Sequence, residues 1–130
     1  MLSEFVDLLI PRVCAGCGCE TVSLCTACVR SLDTEPVVTM PRYGTVKVYG
    51  AGSYEGVLRN VIVNYKEHDR RDLAPVLGLM LARAIASALA DAPVSSAPVL
   101  LVPVPARATS ARKRGGNHVE TLARLSLIHI

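Results

Sequence analysis

Two pairs of closely spaced cysteines near the start of the chain are the strongest candidates for a chemical role. Each pair has the spacing C-x-x-C, which sets two thiolates on one tight turn, and seven residues separate the pairs. The four residues are Cys14, Cys17, Cys25 and Cys28. Zn²⁺ prefers four soft thiolates in a tetrahedron, and its binding supplies folding free energy to a segment too small to fold alone. The spacing therefore predicts a structural zinc site.

A disulfide pair, a redox C-x-x-C motif and plain buried thiols are the competing interpretations of these cysteines. Disulfides need an oxidising compartment, and residues 1–10 carry neither a basic leader nor a small-residue cleavage site for export. A redox motif normally occurs once, beside a strand–helix unit, rather than as two copies. Cys19 is the fifth cysteine, and it is either a free thiol or a replacement for Cys17 as a ligand.

The composition indicates a folded chain with a small aliphatic core. The sequence is 51% hydrophobic and 19% charged, which excludes disorder as a description of the whole chain. Its 130 residues suit one domain plus a small module. Aromatic residues make up 4% and Trp is absent, so Val, Leu, Ile and Ala must form the core. The net charge of +3 is too mild to imply nucleic acid by itself.

The longest apolar stretch, residues 74–92, contains Pro75, Arg83 and Asp91 and is rich in alanine. We expect it to be a well-buried helix and not a membrane span. Because no export signal is expected either, the sequence predicts a cytoplasmic protein.

Apolar periodicity predicts the elements that position the cysteines and the basic residues. Helices are expected over residues 3–10, from the second cysteine pair to Leu32, over residues 55–65 and 73–90, and after Gly116. Alternation of apolar and polar residues predicts a strand over residues 43–51. The continuous apolar run of residues 99–104 predicts a parallel strand covered on both faces.

This order of elements predicts an α/β fold that follows an N-terminal Cys₄ zinc ribbon. Residues 1–33 form the N-terminal helix and the ribbon, residues 34–42 a linker, and residues 43–124 an α/β unit. A complete doubly wound domain needs several further strands, so this unit corresponds to the first part of a domain.

A basic segment follows the predicted strand of residues 99–104. Arg112, Lys113 and Arg114 precede two glycines, and ligands of open α/β sheets lie at the carboxyl ends of strands. Guanidinium groups pair with phosphate, and glycine allows close approach of backbone amides, so an anion site is one interpretation. The other is a solvated charged segment before the last helix. Lys66 and Arg70 lie near a helix C-terminus, where the helix dipole alone favours cations.

Several short motifs together resemble one known family. They are L-L-I-P-R at residues 8–12, the Cys₄ module, Y-E-G-V-L-R at 54–59, Y-K at 65–66, R-R at 70–71, V-P-V-P at 102–105 and R-K-R-G-G-N at 112–117. Their order and spacing resemble the ComF family of phosphoribosyltransferase-like proteins over residues 8–125.

The resemblance implies a zinc ribbon followed by a type I phosphoribosyltransferase fold. It also implies a link to DNA uptake in naturally competent bacteria, with DNA or proteins of the uptake machinery as partners. The family's R-x-R-G-x-N-like loop matches residues implied to bind phosphate, with Gly116 where an aromatic residue is usual. These are Arg112, Arg114, Gly115 and Asn117, and Lys66 and Arg70 match as well.

The sequence lacks one motif that the resemblance to this family leads us to expect. The type I fold binds phosphoribosyl diphosphate through a V-D-D-x-x-T-T-G segment, whose acids hold the ribose hydroxyls and whose amides bind the 5′-phosphate. The printed sequence contains no such segment. We therefore expect this chain to bind zinc without catalysing transfer, and phosphoribosyl diphosphate to bind only if a longer gene supplies the segment.

The last residues look different from the helix before them. Residues 126–130, S-L-I-H-I, resemble translated sequencing-adapter sequence. We interpret residues 125–130 as a non-native tail of an incomplete gene model, the alternative being an ordinary apolar C-terminal segment.

The competing functional hypothesis is a zinc-ribbon module that binds nucleic acid or serves as a protein adaptor. Against direct DNA binding, the basic residues within residues 1–33 are Arg12 and Arg30 alone, and no aromatic residues are interleaved to stack bases. Salt-dependent retention of DNA would support this hypothesis.

Overall fold

Four helices and one short hairpin make up the described part of the chain. The computed structural model describes residues 13–20, 22–94, 97–105 and 115–130. The predicted helix of residues 3–10, as well as Arg112 and Arg114, lies outside these residues. The described elements form a mixed α/β arrangement with the cysteines at its N-terminal end.

The helices form where apolar residues recur at helical spacing. Helix α1 is Thr26–Leu32 and α2 is Gly56–Glu67, which buries Leu58, Val61 and Tyr65 on one face. A 3₁₀ turn, Arg71–Leu73, leads into α3, Ala74–Asp91. Helix α4 is His118–Ser126. The structure thus confirms four of the predicted helices. They are the helix after the second cysteine pair, those over residues 55–65 and 73–90, and the helix after Gly116.

The sheet is a two-stranded antiparallel hairpin. Strand β1, Val37–Thr39, pairs with β2, Val48–Gly50, in the register Val38 opposite Tyr49. The linker predicted for residues 34–42 is therefore wrong at its centre, where three β-branched residues between Pro36 and Pro41 form a strand. Of the strand predicted over residues 43–51, only the part that forms β2, Val48–Gly50, is confirmed.

The buried parallel strand predicted over residues 99–104 is wrong. Residues 97–105 form no strand, and Val99, Leu100 and Val102 are 70%, 83% and 71% exposed. Pro98, Pro103 and Pro105 lack the N–H that a sheet ladder needs. An apolar run indicates burial only where another element covers it, and none of the described residues forms a ladder with this segment.

Helix α3 is the centre of the core. It packs against α4, and its Leu77 and Met80 share one cluster with Leu58 and Val61 of α2. Leu32 of α1 belongs to the same cluster, so the cysteine-containing segment is part of the core. The prediction that α3 is well buried is only partly right, since Leu79 and Leu89 are exposed.

By length and composition alone, one described helix could cross a membrane. It consists of the 3₁₀ turn and α3, Arg71–Asp91, and 39% of its most apolar window is buried within the chain. The core helix of a soluble protein meets the same criterion. Arg83, in the middle of α3, lies 2.8 Å from a carboxylate oxygen of Asp33.

Helix α4 crosses α3 at a glycine. A Cβ at Gly78 would lie 2.8 Å from the Cβ of Leu125, so α4 approaches closely because this position has no side chain. Ser126 is fully buried and its hydroxyl donates to the carbonyl of Ala123 at 2.7 Å. The tail boundary predicted after residue 124 therefore falls inside α4.

Candidate metal centre

Two tight turns position the four cysteines. In the first turn, residues 14–17, the amide of Gly18 donates to the carbonyl of Cys14 at 2.8 Å. The amide of Cys14 donates in turn to the carbonyl of Cys19 at 2.8 Å, which closes the loop beside the bridge between Val13 and Glu20. The second turn is the start of α1, where Cys25 is the N-cap residue and Cys28 lies in the first turn.

The four Sγ atoms come together as a metal site requires. The Sγ atoms of Cys14, Cys17, Cys25 and Cys28 all lie within 4.8 Å of one another. A tetrahedral Zn²⁺ site with bonds of about 2.3 Å has sulfurs about 3.8 Å apart. The Sγ atoms of Cys17 and Cys25 are 3.7 Å apart, close to this separation.

Each of the two turns contributes one buried thiol and one thiol that is more accessible to solvent. Cys14 and Cys28 are 2% and 3% exposed, Cys17 is exposed, and Cys25 is intermediate. The buried pair faces the protein and the accessible pair faces the surface. A metal bound here is therefore anchored on one side to the core.

The surroundings of the thiols favour charge on some of them. Burial of Cys14 opposes its ionisation, but hydrogen bonds from the backbone, above all the amide of Cys25 at 3.3 Å, outweigh burial and lower the pKa to about 6. Hydrogen bonds with the backbone and side chain of Cys28 lower the pKa of Cys25. Burial, followed by the hydrogen bond with Cys25, raises the pKa of Cys28. The set thus favours a negative charge, which a cation can stabilise.

Gly16 allows the first turn to lie against its neighbours. A Cβ at this position would be 2.6 Å from the Sγ of Cys28 and 2.8 Å from a methyl carbon of Val57. At either distance a neighbouring atom would have to move, so glycine is the residue that fits here without displacing Cys28 or Val57.

Two asparagines of α2 hold the backbone of the first turn. The side-chain amide of Asn60 donates to the carbonyl of Gly16 at 2.8 Å, and that of Asn64 donates to the carbonyl of Ala15 at 3.2 Å. The residues are four apart and therefore share one helix face. Their pairing with the turn could not be predicted, because asparagine on a helix ordinarily faces water.

Arg70 fastens the outer part of the cysteine segment. Its guanidinium donates to the carbonyls of Val13 at 3.0 Å and Ser23 at 3.3 Å, and forms a two-bonded pair with Asp72 at 3.0 and 2.9 Å. The hydrogen bond from Arg70 is the main reason that the pKa of Asp72 is lowered to about 2. Arg70 thus joins the α2–α3 connection to both sides of the cysteine segment.

Cys19 lies beside the four-thiol cluster but is not one of its members. Its Sγ is 3.4 Å from that of Cys17, and both side chains are exposed. The hydrogen bond with Cys17 is the main reason that the pKa of Cys19 is raised to about 12. The group of four Sγ atoms within 4.8 Å of one another includes Cys17 and not Cys19, so the structure favours Cys17 as the ligand.

The residues predicted to bind phosphate lie in different surroundings. Asn117 caps α4, its side-chain oxygen accepting from the amides of Val119 at 3.1 Å and Glu120 at 3.4 Å. Gly115 lies against Arg71, and both line a cavity of about 190 Å³ with Asn117. Lys66 is exposed in the last turn of α2. The structure places Arg70 on the cysteine segment, and phosphate binding by these residues stays a prediction.

Comparison of the chain with protein-family models, with curated proteins and with solved structures found no match. The assignment of the centre rests on its residues and their geometry. The four cysteines near the N-terminus are placed closely enough to hold one metal ion.

Proposed function

We propose that Cys14, Cys17, Cys25 and Cys28 bind one structural Zn²⁺ and thereby fasten the cysteine segment to the helical core. The observation that carries this proposal is the mutual approach of the four Sγ atoms within 4.8 Å. A tetrahedron of four thiolates suits zinc, and iron–sulfur chemistry is the main competitor for such a set.

A structural role follows from the completeness of the donor set. Catalytic zinc sites keep one coordination position for water or substrate, whereas four protein thiolates leave none. Asn60, Asn64 and Arg70 hold the surrounding carbonyls, in the manner of the outer-shell groups that orient metal ligands.

Metal content of the purified chain tests the proposal. We expect one zinc per chain by elemental analysis, and a thiolate-to-cobalt charge-transfer band after substitution with Co²⁺. Cys28→Ser should lose both signals, because three thiolates remain. Cys19→Ser is the matched control and should keep them. Iron in place of zinc, or equal loss in the Cys19 variant, would contradict the proposed ligand set.

For the chain as a whole we propose a ComF-like, phosphoribosyltransferase-related function with a link to DNA uptake. The support is the ordered set of motifs from residue 8 to residue 117, together with a cysteine cluster where a zinc ribbon is expected. Because the V-D-D-x-x-T-T-G segment is not in the printed sequence, we expect no turnover of phosphoribosyl diphosphate by this chain.

Three experiments test this second proposal. They are a calorimetric titration with phosphoribosyl diphosphate, an assay of its turnover, and a DNA-retention assay at several salt concentrations. Turnover by this chain would contradict the expectation of inactivity. Retention of DNA that weakens with salt, without sugar-diphosphate binding, would favour the nucleic-acid module instead. Neither result bears on the zinc proposal, which is measured separately.

A further inference from the structure

The fifth cysteine lies where it can compete with the metal for one of the ligands. The Sγ of Cys17 is 3.7 Å from that of Cys25 within the cluster and 3.4 Å from that of Cys19 outside it. Cys17 therefore has two partners available, the metal held by the cluster and the thiol of Cys19. A bond to Cys19 would remove Cys17 from the tetrahedron.

The turn between the two residues is compatible with such a bond. Gly18 has a φ of +79°, and a Cβ at this position would meet no atom within 4 Å. The turn is thus uncrowded at Gly18, between the two cysteines. A disulfide needs its sulfurs about 2.05 Å apart, a closure of about 1.4 Å from the distance observed.

Exposure decides which thiols an oxidant reaches. Cys17 and Cys19 are exposed and Cys25 is intermediate, whereas Cys14 and Cys28 are buried. Oxidation of cysteine follows accessibility and thiolate character, and a neighbouring thiol captures the first oxidation product. The accessible thiols are therefore attacked first, and the neighbour that Cys17 has outside the cluster is Cys19.

We propose that Cys19 makes the metal centre sensitive to peroxide, by forming a disulfide with Cys17 that expels the metal. The proposal rests on the zinc site proposed above. In the first step the thiolate of Cys17 attacks hydrogen peroxide, the O–O bond breaks, and the products are a sulfenic acid and hydroxide. In the second step the sulfur of Cys19 attacks the sulfenic sulfur, an S–S bond forms, and hydroxide leaves.

The two steps balance as a two-electron oxidation. Two sulfurs each lose one electron equivalent, and peroxide is reduced to two hydroxides. One hydroxide takes the proton of the Cys19 thiol, and the other is protonated by the solvent. Three thiolates remain around the metal, which is then released. A dithiol reductant reverses the reaction by thiol–disulfide exchange, and the centre can be filled again.

The test compares zinc-loaded full chain with the variants Cys19→Ser and Cys19→Ala. Zinc content is measured first, and hydrogen peroxide is then added while a chromogenic chelator reports released zinc. We expect the wild type to release zinc about tenfold faster than either variant, because the variants lack the resolving thiol. Equal release rates would overturn the proposal.

Peptide mapping identifies the bond that forms. Cleavage after Arg12, Glu20 and Arg30 separates Cys14, Cys17 and Cys19 from Cys25 and Cys28. After alkylation we expect the peptide of residues 13–20 to be two hydrogens lighter, with its single label on Cys14. A label on Cys19, or a link to the peptide with Cys25, would overturn the proposal.

Failure of the zinc proposal is distinguishable from failure of this one. A chain that takes up no zinc before peroxide is added refutes the metal site. The position of the label on the peptide of residues 13–20 then still decides whether Cys17 and Cys19 form the disulfide.

Discussion

At the scale of single residues, Gly16 is the tightest point of the metal centre. The change to test is Gly16→Ala, whose methyl group would overlap the Sγ of Cys28 and a methyl of Val57. We expect a loss of about 1–3 kcal/mol in unfolding free energy, the usual result of overpacking. Zinc affinity should also fall by at least about tenfold, since a ligand is displaced.

Urea unfolding and competition with a chromogenic chelator measure these two effects. Gly50→Ala is the matched control, because the nearest atom to its added Cβ is 3.6 Å away, an ordinary contact. Equal stability and affinity in the two variants would contradict the packing around Gly16.

The second prediction at this scale concerns Asn60 and Asn64. Replacing either by alanine leaves a backbone carbonyl of the first cysteine turn without its side-chain donor. We expect zinc affinity to fall by about tenfold, the lower end of the range for groups that orient metal ligands, because the two carbonyls belong to Ala15 and Gly16 and not to the cysteines themselves. Arg59→Ala, an exposed neighbour on the same helix, is the control and should bind zinc like the wild type.

Some residues of the candidate metal centre could be predicted from the sequence, and others could not. The four clustered cysteines were predictable from local spacing, because each C-x-x-C pair forms its own turn. The supporting role of Asn60 depends on a contact across 44 positions of sequence, and nothing local indicates it. A pair of polar residues four apart on an otherwise apolar helix face is the one signal available, and it is equally typical of a solvated face.

At the scale of elements, Arg70 connects the α2–α3 turn to the cysteine segment. The informative change is Arg70→Lys, which keeps the charge but lacks the fork that reaches two carbonyls and Asp72 together. Since hydrogen bonds from charged groups contribute about 1.5–3 kcal/mol each and Lys retains part of them, we expect a net loss of about 2 kcal/mol.

Urea unfolding of the zinc-loaded protein measures this loss. Arg124→Lys alters an exposed ion pair with Glu120 and serves as the control, with a change of at most about 0.5 kcal/mol. If the two substitutions lowered the unfolding free energy equally, the contacts of Arg70 would contribute no more than an exposed ion pair, which would contradict this prediction.

The crossing of α3 and α4 gives the second prediction at this scale. Helix propensity alone predicts that Gly78→Ala stabilises the protein by about 1 kcal/mol. The added methyl, however, would lie 2.8 Å from the Cβ of Leu125, an atom that cannot rotate away. We therefore expect a destabilisation of about 1–3 kcal/mol, measured by thermal unfolding. A rise in melting temperature would show that α4 does not dock as described.

Helices were more predictable than strands for a physical reason. A helix satisfies its backbone internally, so apolar residues such as Leu58, Val61 and Tyr65 at helical spacing both form it and bury it. A strand depends on a partner, which the segment itself does not encode. Residues 99–104 have the apolar run of a buried strand and no partner among the described elements, whereas Val37 and Val38 pair without having been recognised.

At the scale of the whole molecule, the cysteine segment and the helical core pack together in one cluster. Ala15 and Leu32 of the cysteine segment belong to the core cluster that also contains Leu58 and Leu77. The sequence alone predicts a ribbon that is a separate unit, because it has few large apolar residues to stabilise it without the metal. The contacts of Asn60, Asn64 and Arg70 could not be predicted from the sequence of the cysteine segment, since they form only when this segment is docked on the helical core.

Chelation of zinc should therefore unfold the cysteine segment and leave the helices in place. Without the metal, only a few apolar contacts and hydrogen bonds hold residues 13–20 and 22–28, whereas α2, α3 and α4 keep their shared core. Hydrogen exchange followed by mass spectrometry should show loss of protection over these residues and retained protection over residues 58–65. Cys28→Ser without chelator should give the same pattern, and Cys19→Ser should not. Unchanged exchange after complete zinc removal would show that packing, and not the metal, holds the segment on the core.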